Sequence, residues 1–247
     1  MEMRYVGGPT AVIELGGVRL VVDPTFDPPG EYPIGERVLT KTAGPAFGPE
    51  PADLVLLSHD QHPDNLDTAG RAYLGTVPLV LSTGQAAGRL GGAVRALPNW
   101  ESVEVGALRV TGVPAQHGPD GTEHLVGEVT GFVLSGDGLP TVYISGDNAS
   151  LDVVRAISAR VGAIDVAVLF VGGARTPLLG DAYLTLPSAD AAEAARILGA
   201  RDVVPLHFEH WQHFTQGPDT LVEAFERAGL SDRLRLLKPG EQITVGG

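Results

Sequence analysis

The chain has 247 residues, 43% of them hydrophobic, enough for a core in one large domain or two small ones. It contains no cysteine, which excludes disulfides and thiolate metal ligands, so a metal would have to be held by imidazole and oxygen groups. Thirty acidic residues against seventeen basic give a net charge of −13, and with no Lys/Arg cluster to oppose that field the chain is not expected to bind nucleic acid.

The opening MEMRYVGGPT lacks the basic start and apolar core of a secretory signal, and no apolar run approaches the roughly 18 residues of a membrane span. A cytoplasmic protein without membrane association is the expectation. TAVIEL, Gly16-Gly17 and VRLVVDP predict a β-hairpin, the glycines supplying the positive φ of the turn and Pro24 ending the second strand. The Pro- and Gly-rich passage from Pro24 to Pro51 predicts a long loop lying over the domain. DLVLLS then has the length and unbroken apolar character of a strand buried on both faces, and VPLVLS repeats it before the short helical segment TGQAAGRLG. Val103 to Ala115 predicts another hairpin.

GFVLSGDGLPTVYISGD predicts a further hairpin around Gly136-Asp137-Gly138. A helix from about Leu151 to Arg160, the strand DVAVLF, a helix with Ser188 as N-cap and Gly199 near its end, and the strand DVVPL follow. Each half, about 1–124 and 125–247, thus has a hairpin whose second strand ends in Asp (Asp23, Asp147), with a buried strand later. This is a weak internal duplication inside one domain, and strands mixed with helices predict sheets covered by helices.

All seven histidines fall in three places: His59 and His62; His117 and His124; His207, His210 and His213. The first of each group sits just past a predicted strand, as does Asp147 after TVYIS. Strand ends on one sheet edge converge, and ligands gather outside the carboxyl ends of strands in open α/β structures. His124 alone reads as an ordinary surface histidine, but four strand ends carrying His or Asp point to a metal site. Imidazole with carboxylate suits Zn²⁺, with Mn²⁺ or Fe²⁺ as alternatives, and disfavours Ca²⁺ or Mg²⁺.

On these residues the chain resembles the metallo-β-lactamase superfamily almost end to end, most nearly the branch of L-ascorbate-6-phosphate lactonase-like hydrolases. SHDQHPDNLD stands where that superfamily has H-x-H-x-D-H, GVPAQHG at the next metal histidine, ISGDN at the bridging aspartate and PLHFEHWQHF at the last metal histidine. The resemblance implies an α/β fold, the four-layer αββα sandwich, and one or two metal ions. The first ion would be held by His59, His62 and His117, the second by Asp64 and His207, with Asp147 bridging. Two departures stand out: His59 lies one residue too far upstream, so that it or Asp60 takes the first position, and Asn65 replaces the final histidine, which leaves one or two metals open. Asp23 and Asp67 either brace ligating imidazoles or serve as turn and helix-capping aspartates.

The implied activity is hydrolysis of a small-molecule lactone, ester or phosphoester by a metal-activated water. Asp64 would orient the nucleophile, His213 would contact substrate or protonate the leaving group, and His210 would contact substrate. The competing expectation for His210 and His213 is exposed positions on a helix after DVVPL. A mononuclear iron oxidoreductase and a non-catalytic metal-binding protein are the alternatives in function, and a homo-oligomer is left open.

Overall fold

A computed structural model describes all 247 residues. Its first strand, β1 (Glu2–Gly7), has no counterpart among the predicted elements; β2 (Thr10–Leu15) and β3 (Val18–Val22) form the expected hairpin. Leu15 faces Val18 across a two-residue turn, with Gly16 and Gly17 at φ 60° and 79°. Both central residues must be left-handed in such a turn, so glycine is the least strained choice.

The passage from Pro24 to Pro51 is not simply a loop: it contains a second hairpin, β4 (Gly30–Ile34) and β5 (Arg37–Lys41), turning at Gly35 with φ 58°. This hairpin is a separate two-stranded sheet. The chain continues through β6 (Leu54–Leu56), α1 (Thr68–Leu74), β7 (Val80–Ser82), α2 (Gly84–Leu90) and β8 (Val94–Ala96). Then come β9 (Ser102–Val105), β10 (Leu108–Pro114), the short α3 (Glu123–Val126), β11 (Thr130–Ser135), β12 (Val142–Ile144) and α4 (Leu151–Val161). β13 (Val166–Phe170), α5 (Ser188–Leu198), β14 (Asp202–Leu206), α6 (Pro218–Arg227) and β15 (Gln242–Thr244) complete it. Pro187, not Ser188, occupies the N-cap of α5; the Ser188 hydroxyl meets Thr220 Oγ1 on α6 instead, at 2.9 Å. Gly199 ends α5 in the left-handed conformation, as expected.

Two large sheets result, ordered β15-β1-β2-β3-β6-β7-β8 and β14-β13-β12-β11-β10-β9. In each, an antiparallel hairpin is followed by a strand that runs parallel to the hairpin's second strand, β6 beside β3 and β13 beside β12. The chain passes from one sheet to the other between Ala96 and Ser102, upstream of residue 124.

Period-two alternation assigns the two faces of the first sheet. Ile13, Leu20, Leu54, Leu56 and Leu81 join one large core with the second sheet and with residues of α4, α5 and α6. Val12, Val21, Val55, Leu57 and Val80 point the other way, against Tyr73 and Leu74 of α1. Helix, sheet, sheet, helix is therefore the layer order, and DLVLLS is wholly apolar because both its faces are covered. No helix is long and apolar enough to cross a membrane.

Candidate metal centre

Four of the six candidate ligands hang just beyond a strand: His59 after β6, His117 after β10, Asp147 after β12 and His207 directly after β14. Glycines permit the approach. A Cβ on Gly146 (φ 56°) would stand 2.6 Å from Thr130 O and 2.9 Å from Ser58 Cβ, and one on Gly172 would stand 2.5 Å from His207 O. Gly146 and Gly172 thus serve close packing between strand ends. Asp23 and His207 hold positive φ, 35° and 60°, strain that local packing must maintain.

His59, His62, His117 and Asp147 offer one ligand atom each, all within 4.8 Å of one another. His59 Nε2 lies 2.9 Å from His62 Nδ1, and the His62 and His117 rings are 5.1 Å apart. The offset in SHDQHPDNLD is absorbed locally: His59 enters this cluster, while the Asp60 carboxylate turns to Arg89, accepting from its Nη2 at 2.5 Å and its Nε at 3.0 Å.

A second group centres on Asp64, whose Oδ2 is 3.3 Å from His207 Nε2 and 3.0 Å from His213 Nε2. Asp147 lies between the groups, 3.6 Å from His117 Nδ1 and 3.5 Å from His207 Nδ1. Asn65 donates its amide to Asp23 Oδ2 at 3.1 Å and to Asp147 Oδ1 at 3.2 Å, leaving its own Oδ1 buried and unpartnered.

Tautomers follow from these partners. His117 Nδ1 faces Leu184 O at 2.9 Å, and a carbonyl only accepts, so Nδ1 carries the proton and the buried, unpartnered Nε2 keeps its lone pair. Ser58 Oγ donates to Asp23 Oδ2 at 2.5 Å and therefore accepts from His59 Nδ1 at 3.0 Å, leaving His59 Nε2 as the unprotonated nitrogen, which faces His62 Nδ1 at 2.9 Å. Asp23 thus acts on His59 through a serine, without touching an imidazole.

Asp67 is the N-cap of α1, accepting from Gly70 N at 2.8 Å. It also accepts from Phe26 N, Asp27 N and Lys41 Nζ, so its role is to brace the loop and helix.

Burial drives His59 well below its usual pKa and His117 down to about 3, helped by the neighbouring imidazoles, so both stay neutral. For His207 burial also works to lower the pKa, but Asp147 and Asp64 outweigh it and raise the value. Burial pushes Asp147 up to about 6; at Asp64 burial is overcome by His213 and His207, which hold it well below the carboxylate range. Neutral imidazoles with free lone pairs, and buried unpartnered atoms at Asp64 Oδ1, His117 Nε2 and both His207 nitrogens, fit a divalent cation that would complete them.

His62, Asp64, His117, Asp147 and His213 line one narrow cavity of about 30 Å³ with Ile34, Arg37, Leu39, Val126, Ala174, Arg175, Thr176 and Leu184. His213 and His210 lie in a loop, not on a helix. His210, at φ 71°, packs its ring over Gly7 and is not among the cavity residues; His124 is exposed on α3. Arg37, Arg175 and Thr176 are absent from the expected set. No spacing signals them, because the β4–β5 hairpin and the segment after β13 carry them in from far along the chain.

Residues 2–207 match the family model of the beta-lactamase superfamily domain. A UPF0173 metal-dependent hydrolase of Methanosphaerula palustris is 32% identical over 92% of each chain, and one from Pyrococcus abyssi is 27% identical over 99% of this chain and all of its own. Among solved structures, isothiocyanate hydrolase from Delia radicum gut bacteria superposes with a TM-score of 0.84 over the whole of both chains at 20% identity. A diiron beta-hydroxylase from Streptomyces venezuelae superposes at 0.72 over 99% of this chain and 54% of its own, at 17% identity. At those identities the two structures establish likeness of fold.

Proposed function

This chain belongs to the beta-lactamase superfamily, among the UPF0173 metal-dependent hydrolases, and from that premise we propose that it hydrolyses a small-molecule lactone, ester or phosphoester. The observation that carries this is the pairing of two ligand groups through Asp147 at the floor of one cavity. His59, His62, His117 and Asp147 would hold one ion, and Asp64, His207 and Asp147 a second. Zn²⁺ suits this set of imidazole and carboxylate donors, and Mn²⁺ or Fe²⁺ are compatible with it. Bound there, a divalent metal supplies a Lewis acid that brings the pKa of water toward ~7.

The chain's own residues do the rest. The free Asp64 Oδ1 is positioned to accept a hydrogen bond from the attacking water, while Oδ2 holds His213 at 3.0 Å. In this reading His213, which lines the cavity and whose Nε2 lies 3.0 Å from Asp64 Oδ2, would pass a proton to the leaving group. The apolar side chains of Leu39, Val126 and Leu184 limit access of bulk water to the reacting centre.

The test is hydrolysis of lactone, carboxylic ester and phosphodiester panels by protein stripped of metal and then reloaded with Zn²⁺. Loss on stripping and return on reloading is expected. Hydrolysis that survives exhaustive chelation would contradict it.

One observation favours a second reading. Asn65 commits both amide hydrogens to carboxylates, so the second group has one imidazole fewer than its motif would give. A mononuclear iron oxidoreductase accommodates that loss, and a single redox-active iron per chain, without hydrolysis, is the result that would favour it.

A further inference from the structure

The cavity holds two cations that the proposed chemistry leaves unused. Arg37, at the start of β5, forms no ion pair; its Nη1 donates to the Thr176 hydroxyl at 2.5 Å. Arg175 has only the fully exposed Asp181, at 3.6 Å, while its Nε is buried without a partner. Its guanidinium stacks 4.3 Å from the Tyr183 ring, which fixes the plane of the fork. Many other arginines of this acidic chain are paired with carboxylates, as Arg4 is with Glu50, Arg89 with Asp60, Arg196 with Glu193 and Arg235 with Asp202.

Both arginines line the same cavity as His62, Asp64, His117, Asp147 and His213. Resting on the reading of that cavity as the hydrolytic site, we propose that Arg37 and Arg175 form an oxyanion-binding subsite that selects substrates carrying a carboxylate or phosphate next to an apolar body.

Three features support the assignment. Guanidinium groups present forked donors matched to carboxylate and phosphate oxygens, and gain most where carboxylate competitors are absent. Ile34, Leu39, Val126, Ala174 and Leu184 supply apolar wall in the same cavity, and Ile34, Arg37, His62 and Val126 also line an adjoining cleft of about 430 Å³ with room for an organic body. Asp64 and Asp147 are engaged by His207, His213 and Asn65 and would be engaged by a metal ion, so no carboxylate of the cavity pairs with Arg37 or Arg175.

The test is calorimetric titration of Zn²⁺-loaded protein with benzoate, phenyl phosphate and neutral benzamide. These titrations need no turnover, so they stand whether or not the hydrolysis panel succeeds. Benzoate or phenyl phosphate, or both, should bind more tightly than benzamide, and Arg37→Gln and Arg175→Gln should each weaken the anions on the order of ten-fold or more, relative to benzamide. Arg175→Lys should recover part of the loss, because it restores charge without the fork. The stronger of the two anions identifies the preferred oxyanion. Anion affinities unchanged in both Gln variants, or benzamide weakened as much as the anions, would overturn the proposal.

Discussion

Asn65 shows how one side chain sets the character of the site. Its amide links Asp23 to Asp147, so the Asp147 carboxylate is held from behind by the residue that stands where the motif would carry a histidine. Asn65→His should strengthen the second ion, because an imidazole keeps one N–H for a carboxylate and offers the other nitrogen to metal; unchanged metal content per chain would contradict this placement. Asp147→Ala and His117→Ala should abolish metal binding, read by equilibrium dialysis with atomic emission. Ser58→Ala removes the link from Asp23 to His59, and a metal affinity lower by about 10- to 100-fold is expected, as for other groups that orient a ligating imidazole. The convergence of His59, His117, His207 and Asp147 is legible from their places after strands, whereas His124 and His210 stand apart from the cluster. The choice between His59 and Asp60 is not legible, since spacing alone does not say that Arg89, twenty-nine residues on, captures Asp60.

The β4–β5 hairpin is the element that makes the site a cavity, and its sequence resembles a loop for a physical reason. β4 alternates between half-buried and exposed positions and β5 ends on a buried lysine, so no run of buried apolar residues announces them. Its fixing points are specific: Thr42 N donates to His210 O at 2.6 Å, Gln212 N to Thr40 O at 3.0 Å, and Lys41 is buried against Asp67 at 3.0 Å. The segment after β14 is thereby stitched to β5, which is why it does not continue as a helix. Breaking a buried pair by removing one partner costs about 3 to 5 kcal/mol. Asp67→Ala should reach that range in urea unfolding, because it also strips the cap of α1 and two loop amides. Lys41→Met should cost less, since the Asp67 carboxylate keeps its three N–H donors. Equal losses would show that the ion pair, and not the backbone donors, dominates.

Across the whole molecule the site exists because two sheets bring their strand ends to one edge, where Gly146, after β12, packs against Ser58, after β6. Gly146→Ala would need a left-handed alanine and a shift of Thr130 or Ser58; a destabilisation of about 1 to 3 kcal/mol is expected, with weaker metal binding because Ser58 and Asp147 both move. Preserved stability and affinity would contradict that reading. The sheet order, the covered faces of DLVLLS and the convergence of strand ends follow from patterns in the chain, whereas the cavity wall depends on long-range contacts that no local pattern encodes. Its lining arginines come from distant points of the chain, at positions 37 and 175. The most direct measurement is metal content and ester or lactone turnover, determined together on protein stripped and reloaded with Zn²⁺. One or two Zn²⁺ per chain with turnover that follows occupancy is the predicted result; turnover independent of metal, or stoichiometric metal binding without hydrolysis of any member of the panel, would contradict it.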